Sequence, residues 1–344
     1  MSGSNVAAMK VDGGVSEDLA DTAASAREAE ATGYDGIWAT ETDHDPFLPL
    51  LLAAEHTERV ELGTGIAVAF ARNPMTLAHV GYDLQRFSKG RFLLGLGSQI
   101  RPHITKRFSM EWSHPADRMR EMIAAIKHIW GAWDGAHALD FRGDFYTHTI
   151  MTPFFDPGPN PYGHARIFLA AVGERMTEVA GEVADGMLCH GFTTEAYLRE
   201  VTLPALERGA TRAGRSLDDF ELSGPAFVVT GGTEEEMAAS AKAVRERIAF
   251  YGSTPAYRPV LERHGWGELQ TELNALSKQG AWEHMGTLVD DDMLDAFAVV
   301  AEPEQLPAKM HERYGDVIDR IRFYVPYRSD PERWAAVMEG LKAA

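Results

Sequence analysis

A single cysteine, Cys189, occurs in 344 residues, so the chain cannot close an internal disulfide. Long apolar runs are also missing: none would span a bilayer, and the segment 1–9 has neither the basic flank nor the apolar stretch of a secretion signal. Positive charge is scarce. Against 51 Asp and Glu there are 33 Lys and Arg, a formal net charge of -18, which repels nucleic-acid phosphates and anionic membranes alike. No nucleic-acid or membrane partner is therefore expected. The chain also lacks HExxH, a Cys pair and a His-x-His at a strand end, so no metal site is expected. It has no G-x-S-x-G elbow and no Walker loop, and "GLGSQI" misses the third glycine of a dinucleotide fingerprint. What remains is a cytoplasmic enzyme acting on a small molecule.

What is present is a βα rhythm. With 45% hydrophobic residues the chain can bury one large core. Short apolar runs at 9–14, 36–40, 60–68, 91–97, 166–172, 186–191, 220–230 and 319–326 alternate with stretches of helical spacing. Eight strands are the number that closes a barrel, so the expected fold is α/β, a (β/α)8 TIM barrel forming a single domain over 1–344. Ser16 is the expected N-cap of the first helix and Gly33 its end, while Pro46 and Pro74 stand where further helices start. Helices are also expected over 174–183, 194–213 and 233–250. Insertions at about 99–113, 135–165 and 251–300 interrupt the rhythm; the second reads as a hairpin with an irregular loop, the third as helices capping one end of the barrel. The helices after Pro46 and Pro74 carry apolar residues on more than one face, as a homodimer interface would require.

In such a barrel, ligands meet the loops that leave the strand C-termini. The stretch "ATETDHDPF" (39–47) leaves there and crowds Glu41, Asp43, His44 and Asp45 together. His44 reads either as a proton donor or acceptor or as a loop histidine paired with Asp43 or Asp45. Glu41 reads either as a group facing the mouth or as a tie to a neighbouring strand, and the aspartates as caps for the next helix. Gly63, Gly65, Gly95 and Gly97 lie within strand patterns, marking a kink or a place where a flat ligand approaches the backbone. Gly173 opens a helix directly after a strand, giving either a sharp turn or a phosphate cradle, with Arg175 beside it. Arg101, His103, Lys106 and Arg107 form a local basic patch, and Phe108, Trp112, Phe154 and Phe155 are candidates for an apolar substrate pocket.

Taken in order, "ATGYDGIWATE", "VELGTGIAVAFARNPMTLA", "GRFLLGLGSQ" and "IFLAAVGERMTEVAGEVADG" resemble the bacterial luciferase-like superfamily, specifically its deazaflavin-dependent oxidoreductase branch. The resemblance implies a barrel binding coenzyme F420, or alternatively FMN, at the strand C-termini. It places the ring near Gly65 and Ile66, whose peptide in that family is often a non-prolyl cis bond, and sets Gly97 and Ser98 beside the ring. It also implies that Gly173, Glu174, Arg175 and Met176 supply donors to the cofactor phosphate. Two departures matter. The branch's catalytic histidine follows the acid after the second strand, where this chain has Thr42, and its general-acid glutamate past the fourth strand is replaced by Ile100 or Gln99. Glu41 and His44 remain as catalytic candidates. The expected activity is hydride transfer between F420 and a small organic substrate, with a reduced-FMN monooxygenase as the alternative and a non-catalytic flavin-binding barrel third.

Overall fold

The computed structural model describes residues 9–328 and 330–343, so the segment 1–9 discussed above lies outside it except for Met9. The strands are β1 Lys10–Gly14, β2 Gly36–Ala39, β3 Glu61–Thr64 with its continuation β4 Ala67–Val68, and β5 Phe92–Gly97. An antiparallel hairpin follows, β6 Phe141–Arg142 and β7 Thr147–His148, then β8 Arg166–Ala171, β9 Gly186–Cys189, β10 Glu221–Val229, β11 Ala298–Val300 and β12 Arg320–Tyr324. Parallel pairing runs β1-β2-β3-β5-β8-β9-β10-β12 and returns to β1 through Lys10 and Arg320. This is a closed (β/α)8 TIM barrel, and all eight expected strands take part in it.

Three expectations need correction. The stretch 60–68 is two strands, Glu61–Thr64 and Ala67–Val68, with the cis Gly65–Ile66 peptide between them. The first helix, α1 Leu19–Thr32, is capped by Asp18, whose carboxylate accepts the Ala20 N–H at 3.0 Å; the Ser16 carbonyl instead accepts the Thr22 hydroxyl. Gly33 ends α1 as expected, at a φ of 97°. The run 194–213 is not one regular helix. It starts at Glu195 behind the cap Thr194, widens to π geometry over Leu198–Thr202 and continues as Leu203–Ala213. Pro204 lacks the N–H that would bond the Glu200 carbonyl, which accounts for the irregular turn before it.

The outer layer includes α2 Phe47–His56, α3 Pro74–Phe87, α4 Pro115–Trp133 and α5 Glu174–Val183. Asn73 caps α3, with Pro74 at its first turn. The segment 251–300 forms short helices, and its strand β11 was not expected. β11 takes the edge of β10 at Phe227–Val229, beyond the point where β9 has left it at Ser223.

Alternation along each strand sorts the barrel interior into layers. Lys10, Glu61, Arg166, Glu221 and Arg320 form an ionic floor: Lys10 Nζ lies 3.0 Å from both Glu61 and Glu221, and Arg166 lies 2.8 Å from Glu221. Two residues further along, Trp38, Leu93, Phe168 and Leu188 form an apolar middle layer. Gly63 makes room for it, since a Cβ there would overlap the Trp38 ring. Two residues further still stand Gly14, Thr40, Gly65, Ala170 and His190. Because this upper layer has little side-chain volume, the barrel is hollow at its C-terminal end.

Candidate active site

The hollow opens into a cavity of about 1280 Å³ at the strand C-termini, larger than most small-ligand pockets. Gly65, Ile66, Gly97 and Ser98 line one wall. Ile66 packs so tightly over Gly97 that a Cβ at Gly97 would sit 2.8 Å from its Cδ1. Ser98 donates its hydroxyl to the Gln99 carbonyl at 3.1 Å.

Gly173, Glu174, Arg175 and Met176 form another part of the lining. Gly173 has φ 78°, a conformation that bulkier residues adopt only under strain, and no side chain caps α5. The first N–H groups of this helix are thus left to the cavity. Arg175 does not add a free charge, because its guanidinium pairs with Asp117 at 2.9 Å; Glu174 pairs with Arg208 at 2.7 Å.

Glu41 and His44 stand apart from the lining. The buried Glu41 carboxylate accepts the Val68 N–H and an Arg72 N–H, each at 2.6 Å. It therefore ties the loop after β2 to β4, immediately beyond the Gly65–Ile66 peptide. His44 is exposed, 3.7 Å from the Asp43 carboxylate. Asp45 accepts the Phe47 N–H at 2.9 Å and so caps α2. Of the basic patch, Arg101 reaches the cavity, while Arg107 bonds the Thr42 carbonyl. Trp112 lines the cavity, whereas Phe154 and Phe155 lie exposed on their loop. Cys189 is buried, which pushes its thiol up to about 12 and leaves it protonated.

Sequence reasoning missed four polar groups. His190, just past β9, accepts the Phe192 N–H on Nδ1 at 3.0 Å, so its neutral ring carries the proton on Nε2, 3.0 Å from the Tyr257 hydroxyl. Burial pushes His190 down to about 4 and Tyr257 up to about 12, so near neutrality the imidazole is uncharged and the phenol protonated. With Nε2–H donating to its oxygen, the Tyr257 hydroxyl keeps its own proton for another acceptor. Tyr251 and Tyr324 form a second hydroxyl pair at 2.8 Å. The spacing of β9 gives His190 away, since it continues the inward set Gly186 and Leu188. Tyr251 comes from the last turn of the helix Glu234–Gly252, and Tyr257 from the short turn Pro255–Tyr257 that follows it, which has no such period.

The family model for luciferase-like monooxygenases matches residues 2–320. The chain belongs to that luciferase-like family. An uncharacterized protein of Mycobacterium tuberculosis is 58% identical over 313 residues, covering 91% of this luciferase-like chain and 92% of its own length. The 5,10-methylenetetrahydromethanopterin reductase of Methanolobus tindarius is 28% identical over 291 residues, covering 83% and 84% respectively. Among solved structures, the coenzyme F420 dependent tetrahydromethanopterin reductase from Methanopyrus kandleri superposes with a TM-score of 0.75 at 23% identity, covering 97% of this chain and 98% of that one. An EDTA monooxygenase from a Chelativorans species gives 0.71 at 13% identity, covering 97% and 93%. These superpositions establish the luciferase-like barrel. No helix among the described residues is long and apolar enough to cross a membrane.

Proposed function

We propose that this luciferase-like oxidoreductase transfers a hydride between coenzyme F420 and a small organic substrate. The observation that carries the reading is its 26–28% identity, over 83–89% of the chain, to three archaeal methylenetetrahydromethanopterin reductases. The Methanopyrus structure carries F420 dependence in its name, and an F420-dependent secondary alcohol dehydrogenase shares the fold at a TM-score of 0.69.

The cavity fits such a group. Gly65 and Gly97 contribute no side chains of their own to the wall, the α5 N-terminus offers unbonded N–H groups, and the volume holds a flat ring with a second molecule beside it. When bound, the deazaflavin would supply a ring carbon that gives or accepts hydride. In this reading Gly65, Ile66, Gly97 and Ser98 cradle the ring, and the backbone of Gly173 to Met176 receives the phosphate. Glu41 acts as a positioning residue, holding β4 behind the cradle. Tyr257, held by His190, directs its hydroxyl proton at the substrate's heteroatom and fixes which carbon faces the ring. His44 is left as a rim residue.

Parallel fluorescence titrations of the purified protein with F420 and FMN test the reading. F420 is expected to bind at least about tenfold more tightly; preference for FMN would overturn it in favour of a reduced-flavin monooxygenase. We also propose a homodimer, supported by exposed Leu48 and Leu51 on α2 and Phe87 on α3. Light scattering should give twice the chain mass, and Leu48→Glu with Leu51→Glu should halve it.

A further inference from the structure

Arg322 is the one inward-facing cation of the barrel whose charge has no counterpart among the described residues. The inward set contains Lys10, Arg166, Arg320 and Arg322 against Asp12, Glu61 and Glu221. The first three cations are paired with these acids at the floor. Asp12, whose field reaches Arg322, is fully engaged: it accepts two bonds from Arg320 and one from the Trp38 indole, all at 2.8 Å. The Arg322 Nε is buried without a hydrogen-bond partner. Its guanidinium stands 5.8 Å from the Trp38 ring centre and lines the cavity, and its Nη1 lies 3.2 Å from where a Cβ on Gly65 would be. A partly buried guanidinium whose Nε has no partner and which faces no free carboxylate among the described residues is unfavourable, and the Trp38 face offsets only part of that.

We infer that Arg322 is an anion-receiving group of the cavity, which binds an oxygen bearing full or partial negative charge on the molecule beside Gly65. Two sources present that chemistry: a carbonyl oxygen of the cofactor's pyrimidinedione ring, or a carboxylate or carbonyl oxygen of the substrate. The first source rests on the cofactor reading above, and the second does not.

The test compares the whole protein with Arg322→Met, which keeps the length and apolar stem, and with Arg322→Lys, which keeps the charge. Ligand-free Arg322→Met should melt about 2–4 °C higher than the parent, because a partly buried charge without an anionic partner has gone. Binding is then measured with F420, with FMN, and with benzoate against neutral benzamide. If the ring is the source, F420 and FMN affinity fall at least about tenfold in Arg322→Met, with a shifted absorbance band and partial recovery in Arg322→Lys. If the substrate is the source, F420 binds unchanged and only the preference for benzoate over benzamide disappears. Should the parent bind neither F420 nor FMN, the cofactor reading falls, while the benzoate and melting measurements still decide the role of Arg322. Unchanged binding of every probe overturns the inference, as does a lower melting temperature in Arg322→Met.

Discussion

Asp12 and Arg320 face each other across the β1–β12 seam in a two-bond pair, Nε to Oδ2 and Nη2 to Oδ1, each at 2.8 Å and both side chains fully buried. The pair joins the first and last strands of the barrel, 308 residues apart in sequence, so it closes the ring chemically as well as topologically. Asp12→Asn would leave the Arg320 charge short of its strongest partner. A loss of about 3–5 kcal/mol is expected in urea unfolding, with a smaller loss in the double variant Asp12→Asn with Arg320→Met.

Acid should destabilise the protein in two steps. Burial pushes His190 down to about 4, below its ordinary value of 6.5, so the unfolded chain takes up a proton that the folded one refuses. Stability from this group is complete above pH 6.5 and falls as pH drops from 6.5 towards 4. Burial works against the Glu221 carboxylate, yet the neighbouring Arg166, Arg320 and Lys10 charges hold it at about 2. Its contribution, about 3 kcal/mol, is present above pH 4.5 and is lost as pH falls from 4.5 to 2. Melting curves from pH 8 to 3 should show both windows, and His190→Gln should remove only the upper one.

Glu41 and His44 should separate cleanly under mutation. Glu41→Gln removes the charge from two short bonds and should weaken F420 binding about tenfold by loosening β4, at a stability loss of about 1.5–3 kcal/mol. His44→Ala should leave both binding and melting unchanged. Reversed results in the same titrations would return His44 to the cofactor's surroundings.

Tyr257→Phe removes one hydroxyl and little volume. It should lower kcat/KM about tenfold to a hundredfold, through the lost hydrogen bond to the substrate, with F420 affinity unchanged. His190→Gln should give a partial version of the same loss. Steady-state kinetics with an accepted substrate, beside F420 titration, would check both.

The barrel was legible because period-two strands and capped helices are local signals: each of the eight strand segments announces itself by alternation or by an apolar run. The glycines of the cavity wall were legible for a related reason, since Gly65 and Gly97 break the composition a strand prefers. The acid cluster left two readings open. The polarity of Glu41 marks a loop at a strand end, but whether its carboxylate turns to the cavity or to Val68 depends on β4, which is brought there only by the fold. Tyr257 was illegible because it reaches the site from a short turn without a repeating period, and Tyr251 because it stands at the end of a helix whose spacing does not say which residue meets the barrel mouth. Arg322 lies on a strand that the sequence announces, but the strand pattern of 319–326 does not single it out, and its lack of a partner emerges only after every acid around it has been matched.

The ionic floor also bears on kinetic order. With Lys10, Glu61, Arg166, Glu221 and Arg320 bridged at the N-terminal end of the barrel, the cavity faces out over the strand C-termini. If two ligands share this chamber, the one seated deeper is expected to enter first and leave last, an ordered pattern that product-inhibition kinetics would check.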